Sequence, residues 1–292
     1  MADFITRFAP SPTGPLHLGH AYSALLAHDM AMDANGTFLL RIDDLDQSRA
    51  RAKWEAQLKD DLGWLGLDWP EPCRKETQCQ AEYDAALDQL WHMGLLYPCT
   101  CTRRDIREAA SAPQEGAPMT GPDGIIYPGT CRKAVDQETP RPSGATLRLN
   151  MAAALKTTAI PLGFVETGPD LAGDIDMAPD VMRDHVGDVV LARKDMGAAY
   201  HLAVVIDDAA QGITHVIRGA DLFDATYIHV LLQHLLGLPQ PIYHHHRLIR
   251  DDTGKRLAKR DDSKAIAKYR SEGATPYDIR RMTGLGDTPS RT

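Results

Sequence analysis

Residues 4–42 confine the fold more tightly than any other stretch of this 292-residue chain. Phe4 to Pro10 is short and apolar and ends at a proline, the mark of a first β-strand. Ser11-Pro12-Thr13-Gly14-Pro15 is built from residues that favour turns, so a loop follows. From Leu18 to Ala34, Ala, Leu and Met recur at helical spacing, which starts a helix near His17. Thr37 to Ile42 reads as a second, buried strand. A strand, a helix and a strand of these lengths predict a βαβ unit on a parallel sheet, and so an α/β fold.

The remaining sequence continues this texture with one interruption. Arg49–Leu65 and Ala81–Met93 read as amphipathic helices. Around Cys99 the pattern changes, and residues 111–144 are rich in Gly, Pro, Ser and Thr without a sustained period. That stretch reads as an insertion between two halves of a nucleotide fold. Regular patterning returns at Val186–Arg193, Tyr200–Asp208 and His215–Arg218. Asp221 is placed to cap a helix that ends near Leu236, with Gly237 as its stop. His244-His245-His246-Arg247 reads as a surface loop that offers a candidate RNA contact, and the charged tail after Arg250 reads as a loop and two short helices.

Composition narrows the class of function. With 43% hydrophobic and 25% charged residues the chain reads as a soluble globular enzyme. A formal charge of −8 excludes holding nucleic acid by bulk attraction, so any RNA contact needs a local basic face. Met1 to Arg7 has no apolar signal core, and no apolar run approaches the roughly 18 residues of a membrane span. A cytoplasmic location is therefore expected, in which the five cysteines stay reduced and clustered ones point to metal.

Two segments suit phosphate. His17-Leu18-Gly19-His20 falls where strand hands over to helix, and a helix start offers unpaired N–H groups and partial positive charge. His17 and His20, three residues apart, share a face, and Gly19 leaves room for close approach of a nucleotide. Gly254-Lys255-Arg256-Leu257-Ala258-Lys259-Arg260 puts four cations behind a glycine, as a loop closing over pyrophosphate would need. Cys99, Cys101 and Cys131 supply three soft ligands where structural zinc wants four. The spacing leaves the fourth open among Tyr127, His92, Asp105 and Asp123, while Cys73 and Cys79 fit no ligand spacing.

Taken together, these segments resemble the class I aminoacyl-tRNA synthetases of the glutamyl type. Residues 7–20, from Arg7-Phe8-Ala9-Pro10-Ser11 to His17-Leu18-Gly19-His20, look like that family's long HIGH motif, and residues 256–260 look like its KMSKS loop. Leu40 to Asp46, Tyr200-His201-Leu202-Ala203 and Arg218 to Leu222 match further family segments in order. The resemblance implies a Rossmann-type catalytic domain split by a zinc-binding insertion. Residues 1–98 and 185–249 would be its halves, 99–184 the insertion, and 250–292 the KMSKS-like loop with a short helical tail. Only 32 residues follow Arg260, and Val204 stands where full-length glutamyl enzymes carry Asn, so the likeness is to a truncated branch without an anticodon-binding region. That likeness implies ATP- and Mg2+-dependent activation of L-glutamate without tRNA, then transfer to the queuosine base of tRNA-Asp, by a monomer.

The resemblance also implies roles. His17, Gly19, His20 and Lys259 would serve the adenylation chemistry, and Arg256, Leu257, Ala258, Lys259 and Arg260 would form the ATP loop. Arg7, Ala9, Ser11, Asp43, Tyr200 and Arg218 would hold glutamate, the arginines taking carboxylates and Asp43 the ammonium. Tyr127 would complete a structural zinc site with Cys99, Cys101 and Cys131. Three positions depart from the pattern: Asp43 for the usual Glu, Arg256 for Lys and Ala258 for Ser. They support one alternative, a non-catalytic RNA-binding module; the others are a glutamate-activating enzyme with another acceptor and a nucleotidyltransferase that activates a different carboxylic acid.

Overall fold

The computed structural model describes residues 3–110, 120–133, 135, 136, 138–158, 161–249 and 264–286. Strand β1 (Ile5–Phe8), helix α1 (Leu18–Asp33) and strand β2 (Thr37–Ile42) form the expected unit, the strands parallel with Ile5 opposite Thr37 and Phe8 opposite Leu40. Ala21, Ala24, Ala27 and Ala31 make the buried face of α1, so the helix lies close on the sheet. Gly36 is required where the chain leaves α1, since a Cβ there would stand 2.1 Å from the Phe4 carbonyl oxygen. Helix α2 (Ala52–Trp64) leads to β3 (Arg74–Lys75), which pairs in parallel with β2.

Helix α3 (Gln80–His92), β4 (Leu96–Pro98) and α4 (Arg103–Ala110) precede a small hairpin of β5 (Thr120–Gly121) and β6 (Gly124–Ile125). Next come β7 (Leu147–Leu149), α5 (Met151–Thr157), β8 (Leu162–Glu166), β9 (Gly173–Met177), α6 (Pro179–Val181), β10 (Val190–Arg193) and β11 (Gly197–Ala198). Then follow α7 (Tyr200–Ala210), β12 (His215–Gly219), α8 (Ala225–Leu236), β13 (Ile242–His246), α9 (Ile266–Ser271) and α10 (Pro276–Thr283). One sheet runs β12-β13-β8-β9, and an antiparallel sheet runs β11-β10-β7-β4. The start of β12 is stitched to β1: the Ile5 amide donates to Thr214 Oγ1 at 2.8 Å, and the Thr214 amide donates to the Ile5 carbonyl at 2.9 Å. From this seam the chain order runs outward both ways, to β2 and to β13. Such a reversal opens a crevice at the carboxyl ends of the strands, where α/β folds bind ligands.

Two apolar cores flank the seam. One packs α1 and α2 on β1 and β2, and takes in Ile266 and Ile279 from the tail helices. Leu25, Leu58 and Leu62 are at most 1% exposed there, each contributing about 1.5–3 kcal/mol by burial. The other packs α3, α7 and α8 against β4, β7 and β10.

Two local expectations are corrected. Asp221 does not cap the helix that ends at Leu236. It lies in a 3-10 turn (Ala220–Leu222), and the chain stays helical through Phe223 and Asp224, so no extended capping position exists before Ala225. Gly237 does stop that helix, in the left-handed conformation at φ 67°. His244, His245 and His246 are not a surface loop but lie in β13, with His245 and His246 4% and 5% exposed. A strand with a neighbour on each side buries histidines when each ring finds a partner. Here the partners are Thr167 for His244, Glu166 for His245 and Ser23 for His246.

Candidate active site

The start of α1 lies at the crevice and is closed by its own histidines. His17 is the N-cap residue, and its Nδ1 accepts from the Gly19 amide at 3.1 Å. His20 Nδ1 reaches back and accepts from the His17 amide at 3.2 Å. The two rings lie 3.8 Å apart. With both Nδ1 atoms accepting, a neutral imidazole at either position carries its proton on Nε2. Both rings are thereby fixed as Nε2–H donors at a positive helix end. A Cβ on residue 19 would sit 3.0 Å from the His17 ring, so Gly19 spares the imidazole a clash.

Beside the helix start lies a buried web of charge. Arg7, on β1, donates to Asp208 from Nε at 2.8 Å and from Nη2 at 3.1 Å. Arg41, wholly buried on β2, donates to Asp208 at 2.6 Å and to Asp43 at 2.9 Å. Arg74 donates to Asp207, which also accepts from the Tyr83 hydroxyl at 2.8 Å. Burial would raise the Asp208 carboxyl, but Arg7 and Arg41 outweigh it, and its pKa falls below the usual value. Glu76 goes the other way: burial first, then the facing Asp43, push its carboxyl up to about 9. Arg7, Arg41 and Arg74 are thus paired with Asp43, Asp207, Asp208 and, at the rim, Glu82, with Glu76 protonated and still accepting from the Leu45 amide at 3.1 Å.

Arg41, Asp207, Asp208 and Glu76 were missed in the sequence. Their one signal is Asp207-Asp208, two acids that close the otherwise apolar run of α7.

Arg218, at the end of β12, is 6% exposed and differs from these arginines. Its donors go to His245, His229, Thr226 and the Leu222 carbonyl, and among the described residues no carboxylate lies within ion-pair distance. Tyr200, the first residue of α7, is 39% exposed and lies within electrostatic reach of Arg218, Arg7, Asp43 and Asp208. The structure thus brings Arg7, Asp43, Tyr200 and Arg218 to one place. Ala9 and Ser11 follow β1 toward the same crevice, and the Asp43 amide donates to the Pro10 carbonyl between them at 3.2 Å. Residues 254–260, with Arg256, Leu257, Ala258, Lys259 and Arg260, lie outside the described residues.

The sulfurs of Cys99, Cys101 and Cys131 lie within 4.8 Å of one another. Tetrahedral zinc–thiolate bonds set sulfurs about 3.8 Å apart, so the three fit one ion. The Tyr127 hydroxyl is 3.4 Å from Cys99 Sγ and 3.3 Å from Cys101 Sγ. Its hydrogen bond leads the causes that hold the Cys131 thiol down to about 6. Arg148 donates to Cys99 Sγ at 3.3 Å and lies 3.9 Å over the Tyr127 ring, where its charge offsets gathered anionic ligands. The other fourth-ligand candidates are engaged elsewhere: His92 with the Asp88 carbonyl, Asp105 with Thr102, Asp123 with His201. Buried Cys73 and Cys79 lie outside the cluster.

Residues 3–289 match the family described as tRNA synthetases class I (E and Q), catalytic domain. The chain is 61% identical over 281 residues to the Glutamyl-Q tRNA(Asp) synthetase of Rhodobacter capsulatus, covering 96% of this chain and 100% of that protein. It is 41% identical to the Glutamyl-Q tRNA(Asp) synthetase of Nocardia farcinica, over 98% of this chain and 86% of that one. Among solved structures, a glutamate tRNA ligase from Elizabethkingia meningosepticum in complex with its amino acid superposes with a TM-score of 0.75 at 26% identity. That match covers 99% of this chain, which spans 62% of the ligase's length.

Proposed function

The chain belongs to the class I tRNA synthetases of the glutamyl and glutaminyl type, and from that premise we propose that it activates L-glutamate with ATP, without tRNA, and transfers it to the queuosine base of tRNA-Asp. The observation that carries this reading is the buried Arg218 guanidinium, which has no carboxylate within ion-pair distance among the described residues yet lies in one crevice with Arg7, Asp43 and Tyr200. A buried cation of this kind is best satisfied by an anionic ligand. A dicarboxylic amino acid meets it with one carboxylate and leaves the other to react.

In the proposed reaction the α-carboxylate of glutamate attacks the α-phosphorus of ATP in line. The bond from that phosphorus to the bridging oxygen of the β-phosphate breaks, and pyrophosphate leaves. His17 and His20 donate from Nε2 to the phosphates as charge develops, at a helix start that favours it. Asp43 takes the ammonium, with its carboxylate already held by Arg41 Nε. Ala9 and Ser11 line the pocket, Tyr200 closes one side, and the loop with Arg256, Leu257, Ala258, Lys259 and Arg260 holds pyrophosphate. A hydroxyl of the queuosine base then attacks the carbonyl carbon of the mixed anhydride, AMP leaves with the bonding electron pair, and the hydroxyl proton is released to solvent.

Bound Mg2+ supplies charge neutralisation on the phosphates. Zn2+ held by Cys99, Cys101, Tyr127 and Cys131 supplies a staple, because the apolar cluster around it is little more than Tyr97, Cys99 and Tyr127. We assign residues 1–98 and 185–249 to the catalytic halves, 99–184 to the insertion, and 250–292 to the loop and helical tail. We further propose a monomer in the cytoplasm; no helix among the described residues is long and apolar enough to cross a membrane.

Glutamate-dependent ATP–pyrophosphate exchange in the absence of tRNA tests the first step. Exchange with glutamate alone among the twenty amino acids supports the reading, and no exchange leaves only a binding module. Charging of tRNA-Asp with and without queuosine tests the second step; equal charging of both points to another acceptor.

A further inference from the structure

Arg218 is the hub of two hydrogen-bonded branches that end in carboxylates. A guanidinium only donates, so the direction of every bond follows from it. Arg218 Nη1 lies 3.0 Å from His229 Nδ1, which must therefore accept, leaving the His229 proton on Nε2. His229 Nε2 is 3.1 Å from His201 Nδ1, which must accept in turn, leaving the His201 proton on Nε2. His201 Nε2 is 3.5 Å from Asp123 Oδ1, in the turn between β5 and β6 of the insertion. On the other branch Arg218 Nε donates to His245 Nε2 at 3.1 Å, so the His245 proton sits on Nδ1 and points at Glu166. Glu166 is held by the His245 amide at 2.9 Å and the Gly168 amide at 2.6 Å. Burial, then the charge of Arg218, lowers the pKa of His229 well below that of an ordinary imidazole and that of His245 to about 4, so both rings stay neutral acceptors.

We propose that Asp123, His201, His229, His245 and Glu166 are positioning residues for Arg218, which aim its guanidinium at the substrate carboxylate while keeping its formal counterions one and two rings away. The inference rests on the assignment of Arg218 as the carboxylate anchor. Its sharpest element is Asp123, which reaches from the insertion and locks a tautomer. Without an acceptor there, His201 can carry its proton on Nδ1. His229 must then accept at Nε2 and hold a proton on Nδ1, facing the Arg218 N–H donor. Two donors would oppose each other in a buried site, and the guanidinium would turn away. The Tyr200 ring packs edge-on to His201 and His229, 5.4 and 5.7 Å between centroids, so the pocket wall rests on the same pair.

The test is glutamate-dependent ATP–pyrophosphate exchange by the whole chain, with glutamate and ATP varied separately. The Asp123 side chain is 41% exposed, so its variants should fold. Asp123→Ala is expected to raise the KM for glutamate about tenfold, the cost of losing a hydrogen bond that serves a charged group, with the KM for ATP and the melting temperature unchanged. Asp123→Asn keeps a carbonyl acceptor and is expected to stay within about twofold of the parent. His229→Asn, which can present an oxygen near the Nδ1 position, should outperform His229→Leu. An unchanged glutamate KM in Asp123→Ala, or an equal rise for glutamate and ATP, overturns the proposal. Arg218→Ala separates the two claims. If it raises the glutamate KM and Asp123→Ala does not, only the relay fails; if it too leaves that KM alone, the assignment of Arg218 fails.

Discussion

Asp208 Oδ1 is shared by two guanidiniums from adjacent parallel strands, at 2.8 Å from Arg7 Nε and 2.6 Å from Arg41 Nη1. The arginine of the first motif is therefore not a loose hand reaching for substrate. It is fixed by an acid 201 residues further along the chain, and Arg41 links that acid to Asp43. Removing Asp208 would leave two buried cations short of a partner. Asp208→Ala is expected to lose about 3–5 kcal/mol of stability, the usual cost of breaking one side of a buried ion pair. Denaturant unfolding checks this, and a loss below about 1 kcal/mol would mean that water or Asp207 takes over the role.

Glu76 makes stability depend on pH in a defined direction. Its carboxyl is raised to about 9 in the fold, against an ordinary 4.5 when unfolded. The folded state then holds a proton that the unfolded state releases. The contribution is fully present below pH 4.5 and is lost as pH climbs toward 9, by at most about 1.4 kcal/mol per unit. Glu76→Gln keeps an acceptor for the Leu45 amide and has no proton to lose. Its melting temperature should match the parent near pH 4 and exceed it increasingly from pH 5 to 9. A constant offset across that range would place the proton elsewhere.

The zinc assignment predicts that metal and stability fall together. Cys131→Ser removes one of three sulfurs that lie within 4.8 Å of one another. One zinc per chain in the parent, and a loss of both zinc and melting temperature in the variant, are expected by metal analysis and calorimetry. Unchanged zinc stoichiometry would count against the site. Chelation of the parent should reproduce the thermal loss, because little apolar packing supports that segment.

What could be read in advance divides along sequence separation. The β1–α1–β2 unit, the helix start at His17 and the stop at Gly237 follow from local patterning, and each is found where it was expected. The residues that organise the crevice are joined across long separations and carry no local mark. Arg7 meets Asp208, Arg41 meets Asp208 and Arg74 meets Asp207, 201, 167 and 133 residues apart. His244-His245-His246 misleads for the opposite reason. Its composition suggests exposure, while the parallel neighbours β12 and β8 bury two of its rings as neutral hydrogen-bonding groups. Asp221 has the composition of a cap, but the chain around it is already helical.

The two histidines at the start of α1 are expected to do two jobs, and substitutions can separate them. Each closes the helix end through Nδ1, which leaves the proton of a neutral ring on Nε2. His17→Ala removes both functions, so it should cost about 1 kcal/mol through the lost cap and reduce activation by about 10²–10³ through the lost donor. His17→Asn is the discriminating variant. Asn is among the best N-cap residues and can accept from the Gly19 amide in place of the imidazole, but it is too short to donate where Nε2 does. Its melting temperature should therefore stay near the parent's while activation falls as far as in His17→Ala. Should His17→Asn recover activity along with stability, the ring serves the helix alone and some other group must meet the phosphate. His20→Ala provides the parallel case from inside the helix. It unseats the bond to the His17 amide and removes a second donor, so its loss of activation should exceed what its change in melting temperature explains.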